Sequence, residues 1–74
     1  MFDFLTTFCA DYGKVEVLDA GGVYRIRLDS HDKALEIVNA LIKEHRFHLA
    51  TGFKGVIRVC YGGYELWVEY PRLF

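Results

Sequence analysis

The chain has 74 residues and a formal net charge of −1, and 53% of its residues are hydrophobic and 16% aromatic. This length allows one domain, residues 1–74, and the composition excludes extensive disorder while supplying enough apolar side chains for one helical layer on one sheet. Nine basic against ten acidic side chains do not give the basic excess that most nucleic-acid-binding domains carry.

The first predicted element is a short helix at the N-terminus. Asp3 offers an N-cap and Gly13 a stop. Between them, apolar side chains recur at helical spacing: Phe4, Leu5, Phe8, Cys9 and Tyr12. Because Phe2 and Phe4 also alternate, a β-strand at this end is the alternative.

A β-hairpin is predicted next, over residues 15–28, where apolar and polar side chains alternate around Gly21-Gly22. A two-residue primed turn needs positive φ, which glycine adopts without a Cβ clash. With this pair as the loop, Val17 lies opposite Ile26, and Glu16 forms an oppositely charged cross-strand pair with Arg27. One face of the hairpin then carries only apolar or aromatic side chains: Val15, Val17, Tyr24, Ile26 and Leu28.

A longer amphipathic helix follows, with Asp29 or Ser30 as its N-cap. Its apolar stripe comprises Ala34, Ile37, Val38, Leu41 and Ile42. Lys43, His45 and Arg46 lie near its C-terminus, where positive charge suits the helix dipole. Residues 47–55 are predicted either as an extended segment or as an irregular connection, with Phe53 anchored to the core.

The second Gly-Gly pair predicts a second hairpin, over residues 56–69. With Gly62-Gly63 as the loop, Tyr61 lies opposite Tyr64 and Arg58 opposite Trp67. The core face is predicted to hold Ile57, Val59, Tyr61, Tyr64, Leu66 and Val68, and the opposite face Val56, Arg58, Cys60, Glu65, Trp67 and Glu69. Pro71 ends the last strand because it has no N–H to donate.

The order of elements is therefore helix, hairpin, helix, hairpin (α-ββ-α-ββ). We expect an α+β fold in which the two hairpins form a four-stranded, mainly antiparallel sheet with the long helix across one face. The chain contains no apolar run long enough to cross a bilayer and begins without the basic residues of a signal peptide, so a cytoplasmic protein is expected.

No motif in the sequence predicts a metal or cofactor site. Neither Gly-Gly pair lies between a strand and a helix N-terminus, where phosphate-binding loops occur. His45 and His48 are three residues apart and could be joined by His31 and Cys60, but zinc ligands usually come as two tight pairs. We therefore expect no cofactor and no bound metal.

Catalytic groups are equally sparse. Cys60 with a histidine lacks a third, orienting group. Glu65 and Glu69 share one face of a strand and are better explained as charge partners of Arg58. The expectation is that the protein is not an enzyme. Cys9 and Cys60 are interpreted as two reduced thiols, because small disulfide scaffolds usually carry four or more cysteines.

Trp67 is the residue that a purely structural role explains least well. The hairpin register directs it away from the helix-covered face, opposite Arg58, and tryptophan and arginine are enriched in binding hot spots. The alternative is that the N-terminal helix covers this face. The predicted interface residues are Trp67, Arg58, Glu65, Glu69, Val56, Arg25 and Arg27.

These observations favour a non-enzymatic protein-binding module that docks on a partner protein, or on a second copy, through a sheet face or a free edge strand. Compact domains of this kind are common among inhibitors and regulators, including phage and mobile-element proteins that block bacterial defence. A nucleic-acid-binding module is the first alternative, and its candidate contacts are Arg25, Arg27, Lys43, Arg46, His48 and Lys54. A small metal-dependent factor or enzyme that uses His45, His48 and Cys60 is the second.

Overall fold

The computed structural model describes residues 1–72. Its elements, in chain order, are α1 (Phe2–Phe8), β1 (Val15–Asp19), β2 (Val23–Arg27), α2 (His31–His45), β3 (His48–Phe53), β4 (Val56–Tyr61) and β5 (Tyr64–Glu69). The predicted α+β class is confirmed, but the sheet has five strands, not four.

The five strands form one mixed sheet in the order β1-β2-β5-β4-β3. Each hairpin is antiparallel, and the two hairpins join through β2 and β5, which run parallel with Ile26 opposite Val68. A parallel pair needs a crossover connection, and α2 lies within it. This arrangement places β5 at the centre of the sheet.

Both helices cover the same face of the sheet. The buried side chains of α1, α2 and the inward-facing strand positions form one core, in which Leu5 and Cys9 come from α1 and its C-cap. The ring of Phe8 lies 4.7 Å from that of His45 of α2, and Phe2 packs on Tyr24 of β2 at 5.5 Å. The suggestion that the N-terminal helix covers the opposite face is therefore wrong.

The N-terminal helix is confirmed against the strand alternative, although its bounds differ from the prediction. Its N-cap is Met1, with Asp3 inside the first turn, and it ends at Phe8. The chain then turns tightly, because the backbone N–H groups of Tyr12 and Gly13 both donate to the carbonyl of Cys9. Tyr12 thus lies beyond the helix, and its hydroxyl donates to Glu36 of α2 at 2.9 Å.

The first hairpin forms with a register different from the predicted one. Its loop is Ala20 to Gly22, stabilised by the side chain of Asp19, which accepts from the backbone N–H of Gly21 at 2.6 Å. A β-bulge at Leu18 precedes this loop. Glu16 consequently lies opposite Arg25 rather than Arg27. The three pairs before the bulge, at residues 15–17, are displaced by two residues, and since side chains alternate with a period of two, the predicted faces survive.

The second hairpin has the predicted register at all of its strand pairs, from Tyr61 opposite Tyr64 to Val56 opposite Glu69. Gly62 has a φ of 60°, and Gly63 does not have a positive φ. A positive φ at the first loop position alone is the pattern of a type II′ turn. The glycine pair therefore fixes this register as expected.

The long helix starts where predicted, and Ser30 is its cap: the Ser30 hydroxyl accepts from the backbone N–H of Lys33 at 3.2 Å. It ends at Arg46, whose φ of 65° is left-handed. The following segment is a strand, β3, which pairs with β4 and forms one edge of the sheet. Phe53, at its end, is exposed rather than anchored in the core.

Candidate protein-binding face

The face of the sheet turned away from both helices carries a mixture of aromatic, aliphatic and charged side chains, and we call it the outer face. Since side chains alternate along a strand, the strand pairing defines its members. They are Glu16, Val23, Arg25, Arg27, His48, Thr51, Phe53, Val56, Arg58, Cys60, Glu65, Trp67 and Glu69. Most of them are partly exposed, so this face lies open to solvent within residues 1–72.

One row of directly opposed residues crosses the outer face from edge to edge. It runs Glu16, Arg25, Trp67, Arg58, Thr51, one residue from each strand. Trp67 is the central member because β5 is the central strand. An indole is thus flanked by two guanidinium groups in the middle of the sheet.

Arg58 is fixed over Trp67 from two directions. Its Cζ lies 5.0 Å from the centroid of the indole ring, a cation–π distance. Its Nε donates to Oε2 of Glu65 at 2.6 Å, and its Nη2 forms an ion pair with the same oxygen, also at 2.6 Å. Charge-assisted hydrogen bonds of this kind orient a guanidinium as well as neutralise it, so the pair of Arg58 and Trp67 is held in one geometry.

The two other arginines of the outer face are also paired with carboxylates. Arg25 donates through Nη2 to Oε1 of Glu16 at 2.6 Å, and Arg27 donates through Nε to Oε1 of Glu69 at 3.0 Å. The hydrogen bond and charge of Arg25 lower the pKa of the Glu16 carboxyl. The outer face therefore carries three ion pairs rather than a patch of one sign.

Two buried side-chain polar atoms without a hydrogen-bond partner occur within residues 1–72: Nε1 of Trp67 and Oγ1 of Thr51. Both residues belong to the central row, one on each side of Arg58. Buried polar groups are nearly always paired in native proteins. The outer face is thus the part of the described chain with unmet hydrogen-bonding capacity.

All seven residues predicted as a protein interface lie together on the outer face: Trp67, Arg58, Glu65, Glu69, Val56, Arg25 and Arg27. Glu65 pairs with Arg58 as expected, but Glu69 pairs with Arg27. The sequence pattern places Glu16 on this face too, but indicates only a charge pair with Arg27 and not an interface residue. It missed Thr51 because the extended segment that carries this residue was one of two alternatives and had no predicted pairing.

The residues considered for nucleic-acid binding do not form one surface. Arg25, Arg27 and His48 belong to the outer face. In contrast, Lys43 lies in the last turn of α2 and Arg46 is its C-cap, in the helical layer. Lys54 lies in the turn between β3 and β4.

The residues considered for metal binding are likewise dispersed. His45 packs edge-on against the rings of Phe4 and Phe8, while His31 packs against Tyr70 at 4.7 Å. His48 lies opposite Cys60 on the outer face. Across residues 1–72, no three His, Cys, Asp or Glu side chains converge as metal ligands would.

Cys9 and Cys60 are not joined by a disulfide. Cys9 is fully buried, and this burial raises the pKa of its thiol to about 12, because the charged thiolate is disfavoured away from water.

Comparison with protein-family models, with curated proteins and with solved structures finds no match to this chain. In the part of the chain that is described, neither helix has the length and apolar character needed to cross a membrane.

Proposed function

We propose that this protein is a non-enzymatic binding module that docks on a partner protein through its outer face. The observation that carries the proposal is the placement of Trp67 and Arg58. The two side chains stack at the centre of a sheet face that neither helix covers. Tryptophan and arginine are the residue types most enriched among binding hot spots, which cluster near the centre of an interface.

The arrangement lowers the entropic cost of binding. A long arginine side chain that becomes ordered on association costs about 0.5–1.5 kcal/mol. Here Glu65 and the indole already hold Arg58 before any partner arrives. The surface is preorganised, so contacts with a partner need less ordering.

The charge pattern favours a protein partner over nucleic acid. Binding to a phosphate backbone draws on unpaired positive charge, and its affinity grows with the number of phosphates neutralised. On the outer face Arg25, Arg27 and Arg58 are each paired with a glutamate. Alternating charges of both signs instead select a partner surface with complementary signs.

The buried polar atoms that lack a hydrogen-bond partner also support binding to a protein. Nε1 of Trp67 is a hydrogen-bond donor only, and the hydroxyl of Thr51 both donates and accepts. Within residues 1–72 neither atom has a partner. Polar groups of a docked partner that reach these two atoms, with Arg58 held in place, would satisfy them. Binding without a chemical step is how inhibitors and regulators of larger proteins act, and we assign the protein to that class.

The test compares three immobilised forms of the protein against extract from its native host: the wild type, the double variant Trp67→Ala with Arg58→Ala, and the control Phe4→Ala. Phe4 is an exposed aromatic residue in the helical layer, so the control removes an aromatic ring from the other side of the molecule. Circular dichroism establishes that all three are folded. Retained proteins are quantified by mass spectrometry, and binding of the strongest candidate is then measured with purified components.

We expect one retained protein to bind the wild type and Phe4→Ala alike, and to bind the double variant at least tenfold more weakly, since a hot-spot residue contributes about 2 kcal/mol or more. Equal binding by all three forms would mean that the outer face is not the binding surface. If retention of the host protein depended on Phe4 instead, the binding surface would lie on the helical layer.

A further inference from the structure

The edge of the sheet formed by β3 differs from the rest of the surface in its content of charged residues. Its six residues, His48–Phe53, include no Asp, Glu, Lys or Arg, although 26% of the chain is charged. Natural proteins usually protect an edge strand with charge, because its unpaired backbone groups can add another strand. This edge has no such charge over its whole length.

Exposed apolar side chains are concentrated at the same edge. Leu49 and Phe53 have exposed fractions of 57% and 65%, the two highest among the large hydrophobic residues in the described chain. They lie on opposite faces of the sheet: Leu49 is paired with the core residue Val59, whereas Phe53 is paired with Val56 of the outer face. A strand added here would cover apolar surface on both faces.

The neighbouring flank of α2 extends the apolar surface. Leu35 and Ile42 are seven residues apart, hence on one side of the helix, and both are exposed. The other flank carries Glu36, which accepts a hydrogen bond from Tyr12 on the α1 side of the molecule. Since α2 packs against β3, β4 and β5, Leu35 and Ile42 face the β3 side, toward Leu49.

The opposite edge of the sheet has the usual protection. β1 carries Glu16 and Asp19, is interrupted by a bulge at Leu18 and packs against α1. Its exposed apolar residue on the helical side, Val17, has an exposed fraction of 53%. The two edges therefore offer a matched comparison: an apolar residue of similar exposure on the helical side of each, Val17 and Leu49, but Asp or Glu on β1 alone.

We propose that β3 is the site at which two copies of this chain associate, pairing antiparallel about a two-fold axis into a continuous ten-stranded sheet. Antiparallel pairing of a strand with itself is compatible with two-fold symmetry, and it places residues of the same strand opposite one another. A strand with carboxylates, lysines or arginines would then risk like-charge contacts, and β3 has no Asp, Glu, Lys or Arg. The helices α2 of the two copies lie on either side of the seam, where Leu35, Ile42 and Leu49 lose contact with water.

The dimer formed in this way is weak and reversible. A six-residue strand is only about 20 Å long, and the bulge at Ala50 interrupts the ladder. The buried area therefore lies at the low end for specific interfaces, about 1,200 Å² or less in total, and dissociation is expected in the micromolar range or above. Phe53 at the margin of the outer face joins the seam, but Trp67 and Arg58 at its centre stay accessible in both copies, so this inference does not rest on the proposed partner binding.

Sedimentation equilibrium of the purified protein, over concentrations from about 1 µM to about 1 mM, tests the proposal with the variants Leu49→Lys and Phe53→Lys and the control Val17→Lys. Val17 occupies the helical side of β1 as Leu49 occupies that of β3. We expect a concentration-dependent dimer for the wild type and the control, and at least tenfold weaker association for both β3 variants. Hydrogen exchange of the β3 amides in the wild type is expected to slow as the concentration rises.

Several outcomes would overturn the proposal. If the wild-type protein stays monomeric over the whole concentration range, β3 does not pair with a second copy. A strand of another protein would then be the expected occupant of this edge. Dimers that are weakened as much by Val17→Lys as by Leu49→Lys do not form through β3. Amide exchange in β3 that is independent of concentration contradicts strand pairing even if a dimer forms, and this measurement needs no variant to fold.

Discussion

The two cysteines of the chain differ in their access to water. Cys9 follows α1 and is fully buried, and its burial raises the pKa of the thiol to about 12. Cys60 lies on the outer face and is partly exposed. Because the thiolate is the reactive form and must meet the reagent, we expect one thiol to react at pH 8 in the folded protein and two after unfolding in denaturant.

Titration with a chromogenic disulfide reagent measures both numbers. The variant Cys60→Ser is the control: it should show no reactive thiol when folded and one when unfolded. Rapid modification of Cys9 in folded Cys60→Ser would mean that α1 opens readily, contrary to its place in the core.

The β4–β5 hairpin depends on its two glycines to different degrees. Gly62 has a φ of 60°, which a residue with a Cβ adopts at a cost of about 1–2 kcal/mol, whereas Gly63 has no such requirement. An added Cβ would meet no atom within 4 Å at either position. We therefore expect Gly62→Ala to lower the free energy of unfolding by about 1 kcal/mol or more.

Urea denaturation measures this cost, with Gly63→Ala as the control. Gly63→Ala should change the free energy of unfolding by no more than about 0.5 kcal/mol, as is usual for open surface positions. If the two variants were equally destabilised, the turn would not be of the II′ type.

Local turn chemistry explains how far the hairpins could be predicted. At Gly62-Gly63 the glycines alone determine the loop, and the register follows. At Gly21-Gly22 the side chain of Asp19 bonds the backbone of Gly21 and lengthens the loop to three residues. This contact was not considered in the sequence analysis. The bulge at Leu18 compensates for it, so the set of outward-facing residues on β2 was still predicted.

The elements that could not be predicted depend on contacts distant in sequence. β3 has no clear alternation, since its bulge at Ala50 disrupts the period of two and Gly52 contributes no side chain. The parallel pairing of β2 with β5 joins residues about 42 positions apart, such as Arg25 and Trp67. The composition of each hairpin could be predicted, but the row that surrounds Trp67 could not.

At the scale of the whole molecule, the chain forms one helical layer and one sheet, and no helix covers the outer face of the sheet. A single core buries side chains from both helices and from all strands except β3. Aromatic and aliphatic residues beyond the capacity of that core are at the surface, on the outer face and at the β3 edge. The high apolar content of so short a chain is thus consistent with a domain that exposes surfaces for binding.

The single core also makes α1 essential to stability, although it has only seven residues. Leu5 of α1 is fully buried among side chains of the main core, and truncating a buried leucine to alanine costs about 2–5 kcal/mol. A domain of this length has a total stability of about 4–11 kcal/mol. We expect Leu5→Ala to lose a large share of it, and Leu18→Ala, at an exposed leucine of β1, to lose less than about 1 kcal/mol. Urea denaturation followed by both far-ultraviolet circular dichroism and Trp67 fluorescence provides the measurement. Both signals should change together in both variants, because Trp67 lies on the sheet that α1 helps to cover. If Leu5→Ala lowered the helical signal while leaving the fluorescence transition in place, α1 would be an independent appendage and the molecule would not unfold as one unit.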